Sequence, residues 1–318
     1  MSPATPEPAA HLSGTCSAAC RALGEPLAGT APYAPAWLAV EQPGPWGRDA
    51  LAASRLSPRL AGALRAQAAA TGVRVALLRR AGRHPADPDR PRTLLTAHTR
   101  PGAAWVEQAT LTDVAELADA DLARLAAGSP LGLGRRVGPP PGPLWLVCTN
   151  ARRDRCCALR GRPLAAALAG ELGADRVWET SHLGGHRFAP TAVLLPAGAV
   201  YGQLDLAAAL RVDAEVAGGR LPLAGLRGRA AWPPAAQVAE VAVREHAGAA
   251  GLDEVLIEPA DRDGGVTGGP ELVRVRLADG RRYDVTVARR PLPPARPESC
   301  GGPPVTLQAW TVTALRPA

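Results

Sequence analysis

The 318-residue chain carries 36 basic and 29 acidic residues, a formal net charge of +7, with 47% hydrophobic residues, enough apolar material for two or three small cores. Every basic residue is arginine, the arginines are scattered apart from short runs such as Arg79-Arg80 and Arg152-Arg153, and aromatic residues make up 3%, so the stacking platform and basic stripe of a nucleic-acid binder are missing. No apolar run reaches the length of a membrane span and the first residues lack a basic and an apolar leader region, so the expected location is the cytoplasm, where cysteines serve as ligands or redox groups more often than as structural disulfides.

Residues 1–14 read as a Pro/Ala-rich disordered tail. Cys16 and Cys20 follow in C-x3-C spacing; with no second ligand pair nearby, they read as two buried helix cysteines. Ala36 to Glu41 predicts a buried strand, Gln42 to Asp49 a Gly/Pro loop, Pro58 to Thr71 a helix and Val73 to Arg79 a second strand. Strands over Thr93–His98 and Ala104–Thr110 and a helix over Thr112–Ala126, capped by Thr112 or Asp113, complete an N-terminal α/β unit at 15–127. Residues 128–143 hold five prolines and five glycines and predict a linker without regular structure.

The order then recurs. Leu144–Cys148 predicts a strand, Arg162–Leu172 a helix, Arg176–Thr180, Thr191–Leu195 and Val200–Gln203 strands, and Asp205–Ala217 a helix, giving a second unit at 144–218. Trp37-Leu38-Ala39-Val40 aligns with Trp145-Leu146-Val147-Cys148, and Arg48-Asp49 with Arg153-Asp154, which points to a duplication. Residues 219–318 change character: a helix at Pro233–Ala247, a strand at Glu254–Glu258, a hairpin of Glu271–Leu277 and Arg281–Val287 across an Asp-Gly turn, and a last strand at Val305–Leu315 predict a small α+β appendage.

Chemistry concentrates in the second unit, which has three of the six cysteines and two of the six histidines. Cys148 ends a strand, an Arg/Asp-rich loop leads to Cys156 and Cys157, and a further strand delivers His182, with Gly184 and Gly185 separating it from His186. C-x8-C followed by H-x3-H offers a metal centre two ligands from each of two loops. A tetrahedral zinc and a [2Fe–2S] cluster with two cysteine and two histidine ligands both satisfy that spacing. A buried imidazole needs polar partners, so two histidines around a Gly-Gly turn make poor core filler; His11, His84, His98 and His246 lie in unrelated contexts and read as ordinary.

The segment resembles the sucrase/ferredoxin-like family of thioredoxin-like [2Fe–2S] ferredoxins through Cys148-Thr-Asn-Ala-Arg-Arg-Asp154-Arg-Cys156-Cys157, Arg162-Pro163-Leu164, Trp178-Glu-Thr-Ser-His182-Leu-Gly-Gly-His186-Arg-Phe-Ala-Pro190, Leu195-Pro196 and Tyr201-Gly202. Gly24 to Thr30 and Gly44 to Asp49 extend it more weakly into the first third. The resemblance implies a thioredoxin-like ferredoxin unit preceded by a degenerate, ligand-free thioredoxin-like copy. It also implies that Cys148 and Cys157 bind one iron and His182 and His186 the other, in the branch where histidines replace a second C-x3-C pair; Cys156 is the runner-up ligand.

Arg153, Asp154, Gly184, Gly185 and Arg187 are candidates to surround the ligands, the arginines and Asp154 equally as surface ion pairs. Cys300, in a loop, either approaches the centre or is an exposed thiol. The expected function is one-electron transfer to or from a redox partner protein, with a zinc-stabilised binding module as the alternative. A thioredoxin-type thiol enzyme would need the absent C-x-x-C motif. No nucleotide or flavin fingerprint points to a self-contained reductase, and no framed pair of carboxylates supports sucrase activity.

Overall fold

Six consecutive buried residues, Ala36–Glu41, make β1 a strand covered on both faces, and β6 (Leu144–Cys148) has the same all-buried pattern. Such runs belong in the middle of a sheet layered between other elements. The computed structural model describes residues 14–82, 90–137, 142–258 and 269–318. The expected tail, His11, His84 and residues 138–141 of the expected linker lie essentially or wholly outside them.

After a short helix α1 (Cys16–Ala22), β1 leads through α2 (Ala50–Ala53) and α3 (Pro58–Thr71) to β2 (Arg74–Arg80), which pairs with it in parallel. β3 (Arg92–His98), β4 (Trp105–Leu111) and β5 (Arg135–Val137) add antiparallel strands on the other side, giving the order β2-β1-β3-β4-β5. The second half repeats the pattern. From β6, helix α5 (Arg155–Leu172) crosses to the parallel strand β7 (Val177–Thr180), and β8 (Thr191–Leu195), β9 (Ala199–Gly202) and, after α6 (Leu206–Ala217), β10 (Leu226–Arg229) extend the far side as β7-β6-β8-β9-β10. Strands β2 and β7 pair antiparallel, Leu78 opposite Thr180, and fuse the halves into one ten-stranded mixed α/β sheet of thioredoxin-like topology.

The two aspartates aligned in sequence are equivalent in space: Asp49 caps α2 and Asp154 caps α5, each accepting a backbone N–H of the first turn. In the first half the crossover helix is broken into α2 and α3, whereas α5 is continuous.

Several expected elements are corrected. The helix expected over Thr112–Ala126 is a 3-10 turn at Val114–Asp119 followed by α4 (Leu122–Ala126), because Asp113 and Asp121 each cap their own start. The region expected to be free of regular structure contains β5. The sheet of the second half runs past residue 218 to take in β10, whose short Leu-Arg-Gly-Arg stretch has no strand pattern to read. Helix α5 begins at Arg155 rather than Arg162, so Pro163 lies inside it and Cys156 and Cys157 occupy its first turn instead of preceding it.

The C-terminal appendage is the antiparallel sheet β11 (Val255–Ile257), β12 (Glu271–Leu277), β13 (Arg282–Pro297), β14 (Pro304–Pro317), with α7 (Pro234–Ala247) packed across it. The strand expected to end at Val287 continues to Pro297. Beyond Val287 its pairing partner is β14 alone, so the prolines at 291, 293 and 294 sit where a missing N–H is tolerated. This long hairpin carries its tip, residues 298–303, back to the second half.

A buried ion triad fixes the appendage to the sheet: Glu240 of α7 lies 2.6 Å from Arg229 of β10 and 3.0 Å from Arg244, and the guanidiniums also donate to the carbonyls of Leu252, Val255 and Gly251. All three charged residues are essentially inaccessible. Removing only the anion strands two buried cations, so Glu240→Gln is expected to cost about 3–5 kcal/mol, read as a lowered urea or thermal midpoint.

Candidate metal centre

Strand β6 ends on Cys148, the first turn of α5 carries Cys157, and the loop after β7 carries His182; Nδ1 of His182 lies 3.8 Å from each of the two sulfurs. The three donor atoms lie within 4.8 Å of one another, with both thiols buried and the imidazole half-buried. The thiol of Cys157, supported by a backbone N–H from Leu183 and by His182, holds Cys148 well below the usual thiol range, while Cys157 is driven up by its bond to Cys148 and by burial.

His186 stands beside this triad, its ring centroid 5.4 Å from that of His182. Its Nε2 is 2.8 Å from the Ser299 hydroxyl and 3.7 Å from the Asp154 carboxylate. Its Nδ1 is buried without a hydrogen-bond partner. Burial lowers the pKa of this imidazole, with Asp154 opposing; the ring is thus held neutral, the form that ligates a metal.

The loop between the histidines is shaped by two glycines at positive φ, Gly184 at +90° and Gly185 at +67°. A Cβ on Gly185 would come within 2.2 Å of the Arg227 guanidinium. That fully buried arginine donates to the carbonyl of Gly184 at 3.1 Å and to the Thr30 hydroxyl and carbonyl, and burial brings its pKa down to about 9, which leaves it cationic at neutral pH. Arg74, from the first half, donates to the His182 carbonyl at 2.6 Å. Two arginines thus set both the loop's path and a positive field on an anionic site. Neither has a motif that marks it in the sequence.

Among the residues expected around the ligands, Asp154 is the buried cap of α5, its carboxylate accepting from the amides of Cys156 (2.8 Å) and Cys300 (2.9 Å). Burial would raise it, but these amides more than offset that and hold it below the usual carboxylate range. Arg187 bridges Glu25 and Glu298 at 2.6 and 3.0 Å and ties the loop to the N-terminal segment and the hairpin tip. Arg153 is exposed. His98 is buried, and His246 packs edge-on against Tyr283.

The runner-up ligand Cys156 turns away from the triad: its sulfur lies 3.5 Å from Cys16 and 3.2 Å from Cys300. Cys16 is therefore not a simple core cysteine, and Cys300 approaches Cys156 rather than the histidines. Cys20 is buried apart from this group, with Gln203 donating to its sulfur at 3.5 Å.

One close approach was hidden from the sequence. In α5, a Cβ on Gly161 would lie 2.1 Å from the carbonyl oxygen of Cys148. Alanine is worth up to about 1 kcal/mol over glycine in a helix, but here it forces α5 off β6, and overpacking of this kind costs about 1–3 kcal/mol. Gly161→Ala is expected to lower the thermal midpoint and deplete bound metal together.

Fold and site thus define a mixed α/β protein of thioredoxin-like topology with buried Cys/His groups able to hold a metal ion. The sucrase/ferredoxin-like family model matches residues 27–217, and the chain belongs to that family. No curated protein and no solved structure gives a match to it. Among the described residues, no helix is long and apolar enough to cross a membrane.

Proposed function

We propose that the chain is a one-electron carrier whose [2Fe–2S] cluster takes Cys148 and Cys157 on one iron and His182 and His186 on the other. The observation that carries this reading is the buried, unpartnered Nδ1 of His186 next to the triad of Cys148, Cys157 and His182. A burial without a partner costs about 1–3 kcal/mol, and a fourth ligand position removes that cost. Two thiols with two neutral imidazoles form a donor set suited to iron–sulfur ligation, and family membership agrees with it.

When bound, such a cluster supplies a site that accepts and returns a single electron at a higher potential than an all-cysteine one, because neutral ligands replace two anions. The chain's own groups do the rest. The Leu183 amide donates to Cys148, and Arg227 and Arg74 lie within electrostatic reach of its sulfur; all favour the reduced, more negative state. Ser299 and Asp154 orient the His186 ring through Nε2 and leave Nδ1 for the metal. His182 is half-buried and reaches toward solvent.

The first unit (15–127) braces the site through Arg74 without contributing a ligand to it. The partner is a redox protein, and the net positive charge favours an acidic one. Visible absorption and electron paramagnetic resonance of aerobically purified protein test the reading: a red-brown protein with a paramagnetic reduced state is expected. A colourless protein holding zinc at Cys148 and Cys157 would establish the zinc-stabilised module instead.

A further inference from the structure

Three of the six cysteines and one carboxylate meet beside the site just described. Cys16 at the start of α1, Cys156 in the first turn of α5 and Cys300 at the tip of the β13–β14 hairpin place their sulfurs 3.5, 3.2 and 3.5 Å apart. Asp154 lies against the same point, both its oxygens 3.9 Å from Cys16 Sγ, and the four donor atoms fall within 4.8 Å of one another. Cys16, Cys156 and Asp154 are buried and Cys300 is partly exposed.

We propose that Cys16, Cys156, Cys300 and Asp154 form a second, mononuclear zinc site that fastens the N-terminal helix and the C-terminal hairpin to the start of α5. The sulfur separations exceed the roughly 2.05 Å of a disulfide and approach the edge of about 3.8 Å that a tetrahedron with Zn–S bonds near 2.3 Å requires. Three thiols also cannot pair off, since any one disulfide would leave a third sulfur without a partner. A soft set of three sulfurs and one oxygen suits zinc and not magnesium or calcium.

The surroundings are those of a ligand shell. Ser17 donates its hydroxyl to Cys156 Sγ at 3.2 Å and is itself held by Arg160 Nε at 2.7 Å. The amides of Cys156 and Cys300 fix the Asp154 carboxylate in orientation. Cys300, at the hairpin tip, gives the ion its way in. Every donor differs from the four assigned to the cluster, and Asp154, which also faces His186 Nε2 at 3.7 Å, is the one group the two sites share as a neighbour.

Metal analysis of the purified full chain tests it, with zinc supplied during growth. About one zinc per chain is expected in the wild type and in Cys148→Ala, and a fall to a tenth or less in Cys300→Ala and in Cys16→Ala. Cobalt substitution of wild type should give the intense visible bands of tetrahedral thiolate ligation, lost in Cys300→Ala. Because Cys300 is partly exposed, that variant should fold, as its thermal unfolding will show. Zinc retained in Cys300→Ala, zinc lost in Cys148→Ala alone, or a wild-type chain without zinc and lighter by the two hydrogens of a Cys16–Cys300 or Cys156–Cys300 disulfide would each overturn the assignment.

Discussion

His186→Ala is expected to yield a protein that retains almost no iron and no visible colour, while a zinc ion at Cys148, Cys157 and His182, if that were the native metal, would survive it. The contrast follows from geometry. The triad is complete without His186, its donors within 4.8 Å, and a single tetrahedral ion there needs only a water as fourth ligand. A two-iron centre leaves its second iron with one protein ligand once Nδ1 of His186 is gone. Loss of groups that merely orient ligands already costs about 10–100-fold in affinity, so loss of a ligand should cost more. Iron content and absorption of the variant, compared with its zinc content in excess of that of Cys148→Ala, decide between the two. Retention of iron and colour at wild-type levels would remove His186 from the ligand set.

His182→Cys is expected to lower the reduction potential and flatten its dependence on pH. Histidine-ligated centres span about −150 to +300 mV against about −400 mV for all-cysteine plant-type ones, so a drop on the order of 200 mV is a reasonable expectation for one exchanged ligand. The pH effect has a definite sign. A cluster held by an imidazole would supply an iron that acidifies the ring N–H in its more oxidised state, so the potential would fall as pH rises, by up to about 59 mV per unit for a one-electron couple. A thiolate has no such proton. His182 is the half-buried member of the pair, whereas His186 is shut in against Ser299 and Asp154, so His182 is the ligand exchanged in this test. Potentials measured from pH 6 to 10 on both proteins test this; parallel curves would count against ligation by His182.

The candidate ligands were legible as candidates because each pair comes from a short stretch: C-x8-C spans one strand end and one helix start, and H-x3-H one glycine turn. The repeated strand order was legible for a similar reason, since β1 and β6 are both short, largely apolar, fully buried runs and both followed by a capping aspartate. What escaped depended on distance along the chain. Cys16 and Cys300 are 284 positions apart, and they meet only because β13 runs on through prolines that ordinarily end a strand and because Glu240 anchors the appendage. Arg74 and Arg227 serve the site from other strands, and no local pattern distinguishes them from the other arginines. The split of the expected helix at 112–126 turned on two competing aspartate caps, a contest between local hydrogen bonds that apolar periodicity does not register.

The junction between β2 and β7 has a consequence for any attempt to isolate the second half. β7 has one flank on β6 and the other on β2, with Arg79 of β2 also clasping Glu179 of β7 at 2.5 Å. Excising residues 144–318 would lay bare a row of peptide groups beside the loop that bears both histidines, an open invitation for a second molecule to add its own strand. The first half therefore shields the open flank of the second, and a minimal second half cut from this chain should self-associate unless that flank is blocked by charge or proline.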